Sequence, residues 1–400
     1  MGFYTYPQAK NVTFFPINGM KDARYTTKGN AMKKKTCSQG DECRLNKVGG
    51  QAVLEGVMMK AGTRTVTTCR KDDGSLVVYD REFVTVRKKH KILNLPIIRG
   101  VVNFIEMMML SMKTLNDSAE ALGIEEEEGK FEKWCKKHLG SKSTDVIMFI
   151  SLLLGLALSV FLFIFLPTWS ADGVNWLWQN AFHLEALSPT VIAVLEGVLK
   201  VAIFIIYLLL VSMMKDIKRT FMYHGAEHKT IACFEAGEEL TPENAAKHKR
   251  FHPRCGTSFM FLMIAIGIVV GMFVRNIIPE GNYSTKVYTV IIAVTKLALL
   301  PMTMGVGYEI LMIAGKHDNV ITRIISAPGM WVQRITTKEP TLDMLEVAIT
   351  STKCALRDEI PEFMEFWNER GWEPKTEKVE ENIENEIAEE GEKTAEDGEE

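Results

Sequence analysis

Long apolar runs alternate with strongly polar stretches along this chain. Residues 146–166, 191–214, 258–278 and 287–313 form four runs, each long enough to cross a hydrocarbon core of about 30 Å at about 1.5 Å per residue. The first carries no charge, the second holds Glu196 and Lys200, the third ends near Arg275, and the fourth contains Lys296, Glu309 and a kink-forming Pro301. A fifth stretch, 96–115, is interrupted by Arg99, Asn103 and Glu106. It reads as an interfacial or re-entrant helix, with an amphipathic helix packed on the polar part of the chain as the alternative.

The period changes before these runs. Residues 63–70 and 76–86 alternate about Asp73-Gly74, a hairpin signal inside a strand-rich region 44–95. The preceding Gly49-Gly50-Gln51-Ala52-Val53-Leu54-Glu55-Gly56 predicts a tight turn or close backbone approach, without Walker spacing. Residues 116–142 read as charged helix with a solvated run Glu125-Glu126-Glu127-Glu128, Thr241-Pro242 as a helix start, and 341–357 as a short amphipathic helix. Gly329-Met330-Trp331 reads as a segment docking on the membrane surface.

The fold class expected is a mainly α membrane protein. It has about four transmembrane helices plus the interfacial or re-entrant helix, a small β-hairpin-containing N-terminal region, and a disordered acidic tail. The division expected is 1–43 as an extension, 44–95 strand-rich, 96–145 interfacial and charged helices, 146–314 the membrane domain, 315–372 a C-terminal segment and 373–400 the tail. Residues 1–31 read as an upstream extension, because no apolar leader opens them and Met32-Lys33-Lys34-Lys35 resembles a bacterial start.

Composition sharpens this picture. A mean hydropathy of +0.02 over 400 residues averages two unlike populations, which excludes a single water-soluble globule and a wholly disordered chain. Residues 373–400 hold thirteen acids and three lysines, leaving about +7 on residues 1–372 against a total of −3. The basic residues concentrate in the 215–257 loop, from Lys215 to Arg254, while 167–190 has none and 279–286 only Lys286. The positive-inside rule therefore predicts a membrane protein with that loop and both termini in the cytoplasm, and Trp169, Trp176 and Trp178 in an outer aromatic belt. Seven scattered cysteines, an odd number, do not form a disulfide framework. No basic-aromatic surface argues for nucleic acid.

Glu196 and Lys200, four apart, predict either a mutually neutralised pair or part of an ion path. Gly267 and Gly271 form a step that permits close helix approach. Glu309 either serves the histidine site described next or caps a helix end.

The candidate chemistry lies in Tyr223-His224-Gly225-Ala226-Glu227-His228-Lys229. His224 and His228 are one helical turn apart, so both imidazoles leave one face and can share a metal. His-x-x-Glu-His is the inverzincin pattern, in which the glutamate, here Glu227, is the general base. His252-Pro253-Arg254-Cys255 can add ligands, since His252 and Cys255 both suit zinc. Three protein ligands leave an open position for catalysis and four close the site; the spacing allows both. Arg254 and Lys229 are candidates for an anionic group on a substrate or lipid, Glu235 is a further ligand candidate or a surface carboxylate, and His248 reads as solvated.

These motifs, with Pro96-Ile97-Ile98-Arg99-Gly100, Tyr308-Glu309 and Pro328-Gly329-Met330-Trp331-Val332-Gln333-Arg334, resemble the YqhQ-like bacterial membrane proteins over about residues 47–350. That family, of unknown function, is often labelled a predicted metal-dependent enzyme. The resemblance implies a multi-pass inner-membrane protein and a metal role for His224, Glu227, His228, His252 and Cys255. The function expected is a cytoplasm-facing metal-dependent hydrolase using a divalent metal, zinc first among the candidates. Its substrate would be a lipid, a peptide or a membrane-associated small molecule, in contact with membrane lipid. The alternative is a non-enzymatic metal-stabilised scaffold, sensor or small transporter.

Overall fold

The computed structural model describes residues 47–88, 90–123, 143–252, 255–279, 281, 283–316 and 320–372. The extension 1–31, the acidic run at 125–128, Arg254 and the tail 373–400 lie outside the described residues.

The strand-rich region is a four-stranded antiparallel meander, β1 (Val48–Val53), β2 (Gly56–Ala61), β3 (Arg64–Arg70) and β4 (Leu76–Glu82), in the order β1-β2-β3-β4. The Asp73-Gly74 hairpin forms as read. Gly74 takes a φ of 83°, and the Asp73 carboxylate accepts from the Ser75 N–H and hydroxyl at 2.8 and 2.6 Å. The glycine-bearing segment ahead of it is a second hairpin, β1–β2, turning at Leu54-Glu55.

Helix α1 (Ile98–Ala121) ties the sheet to the apolar helices. Its C-terminal end closes one sheet face, where Ala121 joins Val53, Cys69, Val77 and Tyr79, and Arg81 pairs with Asp117. Its N-terminal end lies against the helix Leu300–Lys316, where Arg99 pairs with Glu309 and the Ile97 N–H donates to the same carboxylate. Glu309 thus holds the start of α1.

The apolar helices begin with α2 (Ser143–Val160), a π-helical turn (Phe161–Phe165) and α3 (Leu166–Phe182), which run on without a break. The expected polar loop after residue 166 is therefore helix as far as Phe182. The π-turn sits just ahead of Pro167, where a wider turn accommodates the missing N–H. Then come α4 (Pro189–Ser212), α5 (Lys215–Glu235), α6 (Pro242–Ala246), α7 (Gly256–Ile277), α8 (Thr285–Ala298) and α9 (Leu300–Lys316). The chain ends, among the described residues, in α10 (Val320–Thr336), α11 (Leu342–Ala355) and α12 (Pro361–Asn368). Among the described residues three helices are long and apolar enough to cross a membrane, four if the α8–α9 pair, bent by 47° next to Pro301, is one span.

Two expectations about these helices change. Glu196 has Lys200 of its own helix within electrostatic reach but makes its close ion pairs with Lys296 of α8 and Arg275 of α7, which also meets Asp172 of α3 at 2.9 Å. Residues on different helices enclose these charges, and helical spacing does not reveal such partners. Nor do Gly267 and Gly271 set the close approach: no neighbouring atom comes within 4 Å of a Cβ built at Gly267, whereas one built at Gly197 would meet Ile268.

The second core joins the other sheet face to α5 and α11. Val57, Met59 and Val66 meet Tyr223, Ala226, Leu345 and Ala348 there. The short helix expected at 341–357 forms as α11, and it is buried on nearly every side. It is a central strut, with the Ser351 hydroxyl donating to the Val66 carbonyl at 2.7 Å.

Candidate metal centre

Helix α5 carries the centre, beginning two residues after α4 ends. Asp216 stands in its first turn, where a negative charge favours the helix N-terminus. The stretch from Tyr223 to Phe234 is buried on almost every side, with Tyr223, Ala226 and Phe234 in the second core and His224, Glu227 and His228 lining the site. Gly225 lets the segment after α10 cross the helix at close range. A Cβ there would lie 2.1 Å from the Lys338 carbonyl oxygen, so no other residue fits without moving that backbone.

That crossing segment positions the first ligand candidate. His224 Nδ1 lies 2.9 Å from the Thr336 carbonyl oxygen, and His228 Nδ1 lies 2.6 Å from that of Arg250. A carbonyl only accepts, so both Nδ1 atoms carry the proton and Nε2 remains as the ligating atom of each ring. The rings stand 4.4 Å apart, centroid to centroid. Cys255, at the N-cap of α7, brings its Sγ to 3.3 Å from His224 Nε2. One donor atom each from His224, His228 and Cys255 falls within 4.8 Å of the others.

His252 stands beside this group, not in it. Its ring is 5.7 Å from that of His228, and its Nε2 lies 3.5 Å from Glu235, the carboxylate read as a further ligand or a surface group. The His252 backbone is clamped by Gln333 of α10, which accepts from its N–H and donates to its carbonyl, each at 2.8 Å. Gln333 also donates to Thr257 at 3.3 Å, so one wholly buried amide holds both flanks of the loop that delivers Cys255. Sequence reading gave Gln333 no role; only its place in the family motif marked it.

Glu227 is buried beside the three donors and packs against Gly50 of β1. Burial holds its carboxyl above the usual carboxylate range, against the opposing pull of His224 and His252. Burial likewise lowers the pKa of His228 and favours the neutral imidazole that a metal requires, while the contact with Cys255 opposes the shift. Lys229, read as an anion contact, is spent otherwise: it is buried and donates to the Ala246 carbonyl at 2.9 Å and to Glu339. His248 meets Glu238 at 3.2 Å, near Cys233, whose thiol burial pushes up to about 11.

A cavity of about 740 Å³ opens on the centre. His224, Glu227, His228 and Cys255 line one side, and β1, Met58 and Met107 of α1 the other. The donor set fits a divalent cation: two imidazoles with oriented Nε2 atoms and one thiol suit zinc, and three protein donors leave a coordination position open.

The fold and site define a mainly helical protein with, among the described residues, three to four helices able to cross a membrane, a four-stranded sheet, and a partly buried cluster of His224, His228 and Cys255 with Glu227 beside it. The chain belongs to the family described as "Protein of unknown function (DUF1385)", which matches residues 95–358. It is similar to the "Uncharacterized protein YqhQ" of Bacillus subtilis (strain 168), 34% identical over 319 residues, covering 77% of this chain and 92% of that protein. No solved structure matches.

Proposed function

We propose that this protein is a membrane-embedded, metal-dependent hydrolase. Its divalent cation, zinc first among the candidates, would be held by His224, His228 and Cys255. The observation that carries the reading is Glu227: a buried carboxylate, its pKa raised, lining a cavity beside three oriented donors. A general base works best with a pKa near the operating pH, which is the direction of this shift. A cation in such a place supplies Lewis-acid polarisation of a carbonyl and activates water. Glu227 takes the proton that water gives up and passes it to the leaving group, and Gly50 packs against its side chain. His252 orients Glu235 next to the centre and completes its polar wall.

The membrane setting rests on the apolar helices and on the basic 215–257 loop, which favours the cytoplasmic face of a bacterial inner membrane for the centre and both termini. Membrane lipid is then a partner. Helix α1 turns Ile105, Met108, Met109 and Met112 outward, all more than half exposed, which suits a helix lying in the interface. Trp331 of α10, 75% exposed, suits the same surface.

Metal analysis of purified protein against His224→Ala and His228→Ala tests the proposal. About one equivalent of zinc in the wild type, lost in both variants, is expected. No metal in the wild type, or equal content in all three, would overturn it.

A further inference from the structure

We infer that the substrate of this centre is a polypeptide, bound in extended form as an added strand along β1. The inference rests on the hydrolase reading above and names the substrate class. Strand β1 is the edge of the sheet. The two-residue turn makes Val53–Gly56 a hydrogen-bonded pair, so bonded pairs recur at Gln51–Met58 and Gly49–Lys60. The alternate residues Val48, Gly50 and Ala52 therefore turn their N–H and C=O groups away from β2. Glu227 of α5 stands on that outer side, next to Gly50. Beyond the sheet ladder, the backbone groups of Val48 and Ala52 bond to no other described residue.

Helix α5 runs beside this edge, and the cavity lies between them. Val48, Gly50, His224 and Glu227 share its wall. Gly49 is exposed and nothing lies within 4 Å of a Cβ built there, so a second backbone can come close at that position, while Gly50 beside it is bounded by Met58, Met59 and Glu227. An open edge recognises another main chain through its amide ladder, independent of side-chain identity. A lipid ester or a small molecule offers no such repeat. The strand laid here passes the base at the register of Gly50. In the reaction, water oxygen bonds to the peptide carbonyl carbon and the C–N bond breaks. Glu227 takes the water's proton and returns it to the amine that leaves.

The zinc-loaded full chain in detergent micelles is incubated with peptides made by digesting a bacterial proteome, and new termini are read by mass spectrometry. Cleavage that is lost in Glu227→Gln is expected. A peptide so identified, added to zinc-loaded Glu227→Gln, is expected to slow amide hydrogen exchange at Val48 and Ala52. Val48→Pro, which removes one outward N–H and leaves the β2 ladder intact, is expected to keep its zinc and weaken peptide binding about tenfold, the scale of one main-chain hydrogen bond. Should Val48→Pro lose zinc, the same peptide N-methylated at alternate residues is tested on the unaltered protein, with the same loss expected. A zinc-loaded protein that cleaves no peptide, unchanged exchange at β1, or equal binding of methylated and unmethylated peptide would overturn the inference and leave the metal site standing. A protein that holds no zinc would overturn the hydrolase reading itself.

Discussion

Gly50 of the edge strand β1 stands against the buried side chain of Glu227, joining the sheet to the helix that carries His224 and His228. The joint leaves no room for a side chain. A Cβ on Gly50 would stand 2.7 Å from the Met58 carbonyl oxygen, 2.8 Å from Met59 Sδ and 3.0 Å from Glu227 Cγ. Gly50→Ala is expected to cost about 1–3 kcal/mol, the usual penalty of overpacking. Gly49→Ala, with open space around it, is expected to stay within about 0.5 kcal/mol of the parent. Thermal unfolding in detergent compares the two, and equal melting temperatures would contradict the tight joint.

The raised pKa of Glu227 makes stability depend on pH with a definite sign. An unfolded glutamate titrates near about 4.3, and the folded one titrates higher. Below the unfolded value both states are protonated and the group is silent. As pH rises from there through the folded pKa, the unfolded state releases its proton first, and the metal-free protein loses stability. Glu227→Gln cannot ionise and keeps the contact with Gly50. Metal-free Glu227→Gln is expected to melt above the metal-free parent at neutral pH and to converge with it near pH 4. A variant less stable than the parent at neutral pH would refute the burial argument.

His228 acts in the opposite direction. Its folded pKa is lowered, so the neutral ring is the folded form. Stability from this group is complete above the unfolded value of about 6.5 and is lost as pH falls through it towards the folded pKa. Metal-free His228→Gln is expected to lose less stability than the parent between neutral pH and pH 5. The melting temperature measured across that interval decides it.

Sequence and structure agree where the information is local. The apolar runs marked the crossing helices, Asp73-Gly74 marked its hairpin, and the spacing of His224 and His228 fixed two rings on one helix face. The remainder of the site depends on residues far apart in the chain. Gly50 is 177 positions from Glu227 and Gln333 is 81 from His252, and no periodicity relates them. The first apolar run ends at residue 166, yet a π-turn carries the helix past Pro167 to Phe182. The helix read at 341–357 forms, and its cover by both the sheet and α5 lies beyond what its own period shows. Glu196 keeps Lys200 within electrostatic reach, while its close partners come from α7 and α8.

Gln333 is a structural test of the site apart from its ligands. Its buried amide makes both backbone bonds to His252 and a third to Thr257. Gln333→Ala strands a buried N–H and a buried carbonyl, which costs about 1–3 kcal/mol for each. It also frees the loop that holds Cys255 against His224. Zinc affinity, measured by competition with a chelator, is expected to fall about 10–100-fold, the range seen when the support of a ligand is removed. Unchanged affinity with a lowered melting temperature would confine Gln333 to folding.

The charges among the apolar helices supply a test remote from the metal. Arg275 and Glu196 are nearly sealed from solvent, with side chains 1% and 4% exposed, and Asp172 and Lys296 close the network. Thr289 adds a hydroxyl to Asp172 at 2.5 Å. Removing one member leaves another charge buried without compensation, at a cost of about 3–5 kcal/mol, whereas removing a matched pair can be neutral. Glu196→Gln and Lys296→Met are each expected to lower the melting temperature sharply, and the double variant to recover most of the loss. Additive losses in that double-mutant cycle would mean that the two side chains do not neutralise one another. The network would then be four separate charges, each needing its own route to water. Recovery instead marks it as the clamp that joins α3, α4, α7 and α8 at the end of the bundle opposite the metal centre.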